Sequence, residues 1–417
     1  MYIKELSKEE FDSFCNNFIQ SSVYQTSEYA SVMKTQGFTT MYVGLIDDRN
    51  YIVAASLLLI EKKYGFKYAY APRGFLMDYT NHQLFEQFTL LLKKYLGKKD
   101  IIAVKICPMI VKTVYDVKNN LKCENQRYQE FMDQFKKLGY FHLGFNKNFE
   151  ALKPRYEGIL DISIPYYQIF NNFPKSLRTK IRSSIHRGVS VYRGNEYNLE
   201  NLYFQTQKKY KRNLKYFESC YANFSKKNLL DYYYTKLDTE KHLTIIKGEY
   251  EKQEQIVNRL NQMILQKSTK NKEGLIHKKI KADRKFDEYK KALVKATELL
   301  KEYPNGAITS AIIVVKNRDT VSLFVDGHDK TFKEFNSKQL LLWTLIEKYS
   351  RLGFKYFNFG GMTDILDEEN KYKGLNQFKL NFGCKCYEYV GDFELITNNA
   401  LYFMYRNSAP IRSILKR

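Results

Sequence analysis

MYVGLIDDRNYIVAASLLLI at residues 41–60 and AITSAIIVVKNRDTVSLFV at residues 307–325 follow one plan: a β-rich run, a polar turn (DDRN, then KNRD) and a second β-rich run. Apolar stretches of this length, broken by Asp, Asn and Arg, read as paired strands. Beyond the first pair the sequence predicts a third strand near Lys67–Ala71, a helix over Gln83–Leu96 and a strand over Ile101–Ile106. Beyond the second it predicts a helix over Lys338–Arg351 and a strand over Tyr356–Phe359. Two meander-plus-helix units of like order indicate an internally duplicated, mixed α/β (α+β) chain.

Between the units lies a segment of different character. Leu243, Ile246, Tyr250, Val257, Leu260 and Ile264 fall at alternating three and four spacing, with Gln253 in the one polar seam position. Leu275, Ala282, Phe286, Tyr289, Leu293, Ala296, Leu300 and Tyr303 repeat the stripe. QKSTKNKEG separates the two halves and Pro304-Asn305-Gly306 stops the second, so residues 239–303 read as an antiparallel coiled-coil helical arm. Its 16 Lys or Arg against 10 Asp or Glu give a net +6, which fits a polyanion lying along it and equally fits a solvated helix face.

The whole chain carries 68 Lys and Arg against 45 Asp and Glu over 417 residues, a net +23 that favours nucleic acid or an anionic membrane surface as partner. A biased coding composition, with Lys, Asn, Ile and Tyr all abundant, is the competing reading of the same excess. No apolar run approaches a membrane span and MYIKELSKEE lacks the apolar region of a signal peptide, so a cytoplasmic chain is expected. The six cysteines and six histidines show no metal-ligand spacing, and Cys384-Lys385-Cys386 reads as two faces of one strand. No metal or other cofactor is expected. GxxxxGK[ST], GxGxxG and GxSxG are all absent, which removes the common signatures of nucleotide and serine-hydrolase chemistry.

Units of this order build the acyl-CoA-dependent N-acetyltransferases. The glycine-rich pyrophosphate turn of those enzymes is not evident in either copy, which points to a different acyl donor. The most basic window, FPKSLRTKIRSSIHRGVSVYRGN at 173–195, has Lys175, Arg178, Lys180, Arg182, Arg187 and Arg193 and no acid from Pro174 to Arg193. Arg178 and Arg182 share a helix face at i, i+4, an arrangement that an anion would favour. A solvated basic face is the competing reading.

This window resembles the basic helix of the Fem family (FemABX and MurM type), the peptidoglycan interpeptide-bridge aminoacyltransferases. YAPRGFLMDY at 70–79, FNFGGMTD at 357–364, GLNQFKLNFG at 374–383 and YEYVGDFEL at 387–395 agree in order. The resemblance implies two tandem N-acetyltransferase-like domains, with residues 1–160 as the first and 161–238 plus 304–396 as the second. The arm at 239–303 and a basic C-terminal helix at 397–417 complete the division. It also implies a peripherally membrane-associated enzyme that moves an amino acid from aminoacyl-tRNA to the stem peptide of lipid II or a related peptidoglycan precursor. Homologous aminoacyltransferases are candidate partners. Carried over by position, Lys379 is the catalytic candidate, with Phe378 beside it, and Arg212 and Tyr216 form the Arg-x-x-x-Tyr pair that holds the precursor's anionic groups. Lys175, Arg178, Lys180, Arg182 and Arg187 are the expected tRNA contacts.

Three positions depart from the pattern. The early family lysine falls on Met33, with Lys34 one place later as the substrate-binding candidate. Cys107-Pro108 stands where many members have Asp-Pro, and Val325 replaces a tyrosine ahead of Asp326-Gly327. These departures keep two alternatives open: a non-catalytic Fem-like RNA-binding or scaffold protein, and a coenzyme A-dependent N-acyltransferase.

Overall fold

A computed structural model describes residues 1–63, 65–207, 212–266 and 272–407. The chain begins with β1 (Tyr2–Glu5), α1 (Lys8–Asn17), α2 (Ser27–Thr35), β2 (Thr39–Ile46), β3 (Ile52–Lys63), β4 (Phe66–Ala71), α3 (His82–Lys98) and β5 (Ile101–Ile106). There follow β6 (Val111–Asp116), β7 (Leu121–Glu124), α4 (Tyr128–Lys137), β8 (Tyr140–His142), β9 (Tyr156–Asp161), α5 (Tyr166–Asn172), α6 (Lys175–His186) and β10 (Val189–Arg193). The middle holds α7 (Leu199–Thr206), α8 (Leu214–Ser225), β11 (Leu230–Leu237), α9 (Thr239–Gln266) and α10 (Lys272–Glu302). Last come β12 (Ala307–Asn317), β13 (Thr320–His328), α11 (Ser337–Arg351), β14 (Tyr356–Met362), α12 (Lys373–Leu380), β15 (Lys385–Tyr389), β16 (Phe393–Ile396) and α13 (Asn399–Asn407).

The duplication is visible in the pairing. β2, β3 and β4 form an antiparallel meander, and α3 then returns the chain so that β5 runs parallel to β4. In the second copy β11, β12 and β13 form the meander and α11 leads to β14, parallel to β13. Local sequence explains these elements. Asp47 closes the first turn by accepting from the Arg49 and Tyr51 amides, with Asn50 at φ 67° in the left-handed region that Asn tolerates. Asn81 caps α3 at the Leu84 amide, and Phe85, Phe88, Leu92 and Leu96 then bury one face of the helix. Each such side chain contributes about 1.5–3 kcal/mol by leaving water.

Among the described residues, one sheet has seven strands in the order β1-β2-β3-β4-β5-β16-β8, and the other nine in the order β10-β11-β12-β13-β14-β9-β15-β6-β7. The division expected at residue 160 does not follow these sheets. β6, β7 and β9 lie in the nine-stranded sheet, and β16, from the end of the chain, completes the seven-stranded one. β15 holds the exchange together by pairing with both β9 and β6. One buried core also spans both halves, joining Phe11, Tyr29 and Val32 to Phe217, Phe224 and Ile313. Cys384 and Cys386 bury in a single core rather than on two faces, because residues two apart in an extended chain point the same way.

α9 and α10 form the antiparallel pair. Tyr250 meets Phe286 with ring centroids 4.9 Å apart, and the buried amide of Gln253 donates to the Ala282 carbonyl at 3.0 Å. The polar seam position is thereby satisfied. Residues 267–271 of the expected turn, and 408–417 of the expected C-terminal helix, lie outside the described residues. The root of the arm is built into the body. His242 packs on Phe335, Tyr303 packs on Phe332, and His186 of α6 bonds Glu249 at 3.0 Å. Deleting residues 251–285 and joining Tyr250 to Phe286 by a short turn should therefore leave a folded body, with the thermal midpoint shifted by less than about 4 °C. A larger fall in a melting experiment would show that the tip of the arm also supports the body.

Candidate functional site

The parallel pair β13–β14 runs in register from Thr320↔Tyr356 to Ser322↔Asn358. Charged side chains gather beside this point, where the two sheets meet. Arg73, just after β4, is buried and donates to Glu157 of β9 at 2.6 Å and to the Pro154 carbonyl at 2.8 Å, with its guanidinium 4.6 Å from the Tyr389 ring centre. Glu157 also accepts from Asn358 at 2.9 Å and Tyr389 at 3.2 Å. Burial opposes ionisation of Glu157, yet Arg73 and these hydrogen bonds hold its carboxyl below the ordinary carboxylate value. Two residues earlier on the chain, Arg155 pairs with Glu388, which Lys112 and Tyr115 also reach at 2.9 and 3.0 Å.

Asn213 caps α8 by accepting from the Tyr216 amide at 3.0 Å. That cap fixes the first turn, and the exposed Arg212 guanidinium lies 4.6 Å from the ring centre of buried Tyr216. The expected pair is thus brought together. Lys153 approaches the same region, 3.0 Å from the Tyr24 ring centre and 5.4 Å from that of Tyr29 on α2. Tyr24 in turn stacks on Phe324 of β13, with centroids 6.0 Å apart.

Met33, Cys107 and Val325, the three departures, come together in the core that contains Tyr29, Tyr70 and Tyr216. α2 turns Met33 inward and leaves Lys34 exposed, so the structure does not bring Lys34 into this group. Cys107 accepts from the Arg73 amide at 3.1 Å and lies 3.2 Å from the Tyr70 hydroxyl. Burial pushes its thiol pKa up, which keeps it protonated and disfavours a nucleophilic role.

Lys379 sits in the last turn of α12. The inward face of that short helix carries two polar residues. Lys379 donates to the Gly361 carbonyl at 2.5 Å, and Asn376 grips Thr363 through its amide, accepting from the backbone N–H at 3.1 Å. Gly361 is the register partner of Glu157, and a Cβ placed on it would meet Pro154 at 2.8 Å. Lys379 is therefore connected through Gly361 and Pro154 to Arg73 and Lys153. Phe378, half-buried, packs on Phe382 at 5.6 Å and lies under the Lys338 amine at 5.1 Å.

The basic helix α6 turns Leu177, Ile181 and Ser184 inward and leaves Lys175, Lys180 and Arg182 exposed. Arg182 lies over the Phe170 ring and Arg187 donates to the Glu334 carbonyl at 3.1 Å. Among the described residues, no Lys or Arg from Lys175 to Arg187 pairs with a carboxylate, and the helix makes one such contact, His186 with Glu249. The Nε of Arg178 is buried and has no hydrogen-bond partner among the described residues.

A family model for the FemAB family matches residues 6–408. The chain belongs to the FemAB family. It is 25% identical over 433 residues to aminoacyltransferase FemB of Staphylococcus epidermidis, covering 100% of both chains. It is also 25% identical to the lipid II:glycine glycyltransferase of Staphylococcus haemolyticus over 422 residues, which are 97% of this chain and 95% of the relative. The crystal structure of FemX superposes with a TM-score of 0.72 at 21% identity, covering 97% of this chain and 99% of FemX. That likeness establishes the shared two-sheet architecture. Sequence spacing does not mark Lys153, Arg73 or Glu157. Arg73 lies inside YAPRGFLMDY, but nothing in that block pairs it with an acid 84 residues later.

Proposed function

We propose that this chain transfers an amino acid from aminoacyl-tRNA to the stem peptide of lipid II or a related lipid-linked precursor, building a peptidoglycan bridge or branch. As a member of its family it is an aminoacyltransferase. The observation that carries the donor is α6, whose exposed Lys and Arg side chains pair with no carboxylate among the described residues. In this reading Lys175, Arg178, Lys180, Arg182 and Arg187 bind tRNA phosphates. Arg212 and Tyr216 hold the anionic groups of the precursor, Phe378 flanks the acyl group, and Lys379 steadies charge that develops on the ester oxygen. Lys34, exposed at the end of α2, reaches the outer part of the precursor.

A lipid-linked acceptor implies peripheral contact with the membrane at its cytoplasmic face. Among the described residues no helix is long and apolar enough to cross a membrane. The stretch 141–152 nevertheless exposes Phe141, Leu143, Phe145, Phe149 and Leu152 beside Lys147, a composition suited to a membrane surface. The apolar cluster of Met33, Cys107 and Val325 is the one observation that favours a non-catalytic reading, and turnover decides between the two.

The donor is tested by binding. Replacing Arg178, Lys180 and Arg182 together with Ala should weaken tRNA affinity at least tenfold at low salt and flatten the dependence of log K on log salt by roughly two to three units. Unchanged affinity and slope in a filter-binding titration would remove α6 from the tRNA contact.

A further inference from the structure

Lys153 lies between β8 and β9, on the segment that carries the chain from one sheet to the other. It is partly buried and keeps some open surface. The acids of the neighbouring strands are committed elsewhere, Glu157 to Arg73 and Glu388 to Arg155. Among the described residues no carboxylate pairs with Lys153.

The titratable and charged groups facing it are Tyr24 ahead of α2, Tyr29 on α2, Arg73 after β4, Cys107 after β5, Glu157 on β9 and Arg212 ahead of α8. Burial, joined by Arg73 and Arg212 and opposed by Cys107 and Glu157, pulls its pKa well below the ordinary lysine value. A lysine held in that way gives up its proton more readily than an exposed one, and so is better suited to accept and return a proton during turnover. Arg212, whose guanidinium lies over Tyr216, is among the charges acting on it, and through Pro154 and Gly361 Lys153 is connected to Lys379.

We infer that Lys153 is the proton acceptor when the amine of the acceptor substrate attacks the donor ester, an inference that rests on the aminoacyl-transfer reading above. The attacking nitrogen forms a bond to the ester carbonyl carbon, and the carbonyl π pair moves onto oxygen. The proton shed by that nitrogen passes to Lys153 Nζ. When the carbonyl reforms, the bond from carbon to the ester oxygen breaks, and the departing alkoxide takes the proton from the Lys153 ammonium. The products are an amide and the free hydroxyl of the donor.

Two measurements on the full chain test this role. Competitive acetylation by acetic anhydride between about pH 6 and 11, read by peptide mass, should give Lys153 a lower midpoint than exposed lysines. A shared midpoint would overturn the role. In the transfer assay, Lys153→Arg and Lys153→Gln should each lower kcat by about 100-fold or more, with KM within about twofold of the parent, and should remove the acidic limb of the pH–kcat profile. Arg keeps the charge but takes up no proton, so Lys153→Arg with parental turnover would overturn the proton-acceptor role and leave the transfer reading intact. A parent chain that transfers nothing from any charged tRNA would overturn both.

Discussion

Glu157→Gln should destabilise the protein by about 3–5 kcal/mol, because it leaves the Arg73 guanidinium buried without a counter-charge. The loss extends past the ion pair. Asn358 and Tyr389 also donate to this carboxylate, and Glu157 sits on β9, which joins β14 to β15 within the nine-stranded sheet. The pH dependence has a definite sign. In the folded chain the carboxyl pKa lies below the ordinary 4.5, so its contribution is fully present above that value and is lost as pH falls through the folded pKa. Parent and variant should therefore differ most near neutral pH and converge in acid as pH falls through the folded pKa of Glu157. Urea unfolding measures the difference, and a loss smaller than about 1 kcal/mol at neutral pH would mean that the pair does not hold the two sheets.

Lys379→Ala should lower turnover by about 100-fold or more while precursor affinity stays within a few-fold, the signature of a group whose charge matters most in the transition state. Its amine already bonds the Gly361 carbonyl, so the variant should also lose about 1–3 kcal/mol of stability, and a circular-dichroism melt separates that loss from the kinetic one. Arg212→Ala supplies the contrast. It removes the exposed guanidinium over Tyr216 that is proposed to hold the precursor's anion, and should raise KM about tenfold with a smaller change in kcat. If Lys379→Ala altered KM alone, the lysine would be a clamp on β14 and nothing more.

The elements legible in the sequence are those governed by nearby residues. The β2–β3 and β12–β13 hairpins announce themselves by apolar runs around polar turns, α3 and α11 by helical spacing, and the arm by its three-four stripe. What sequence spacing misses is set by long-range pairing. β16 joins β5 across nearly 300 residues, and β15 inserts between β6 and β9, so no local signal marks where one sheet stops and the other begins. α12 is not marked by spacing, because GLNQFKLNFG is short and its apolar residues fit either period. The site follows the same division. Arg212 and Tyr216 are four apart on one helix start and were legible, whereas Lys153 takes its character from burial beside Tyr24, Tyr29, Arg73 and Arg212, residues scattered over the chain.

The most direct test of aminoacyl transfer is the mass of the precursor. The full chain is incubated with lipid-linked precursor and each charged tRNA in turn, and the precursor is then weighed by mass spectrometry. The account predicts a gain equal to an aminoacyl residue with at least one charged tRNA, and no gain with the same tRNA uncharged or with the free amino acid. No gain with any charged tRNA, or an acetyl gain from acetyl-coenzyme A, would contradict it.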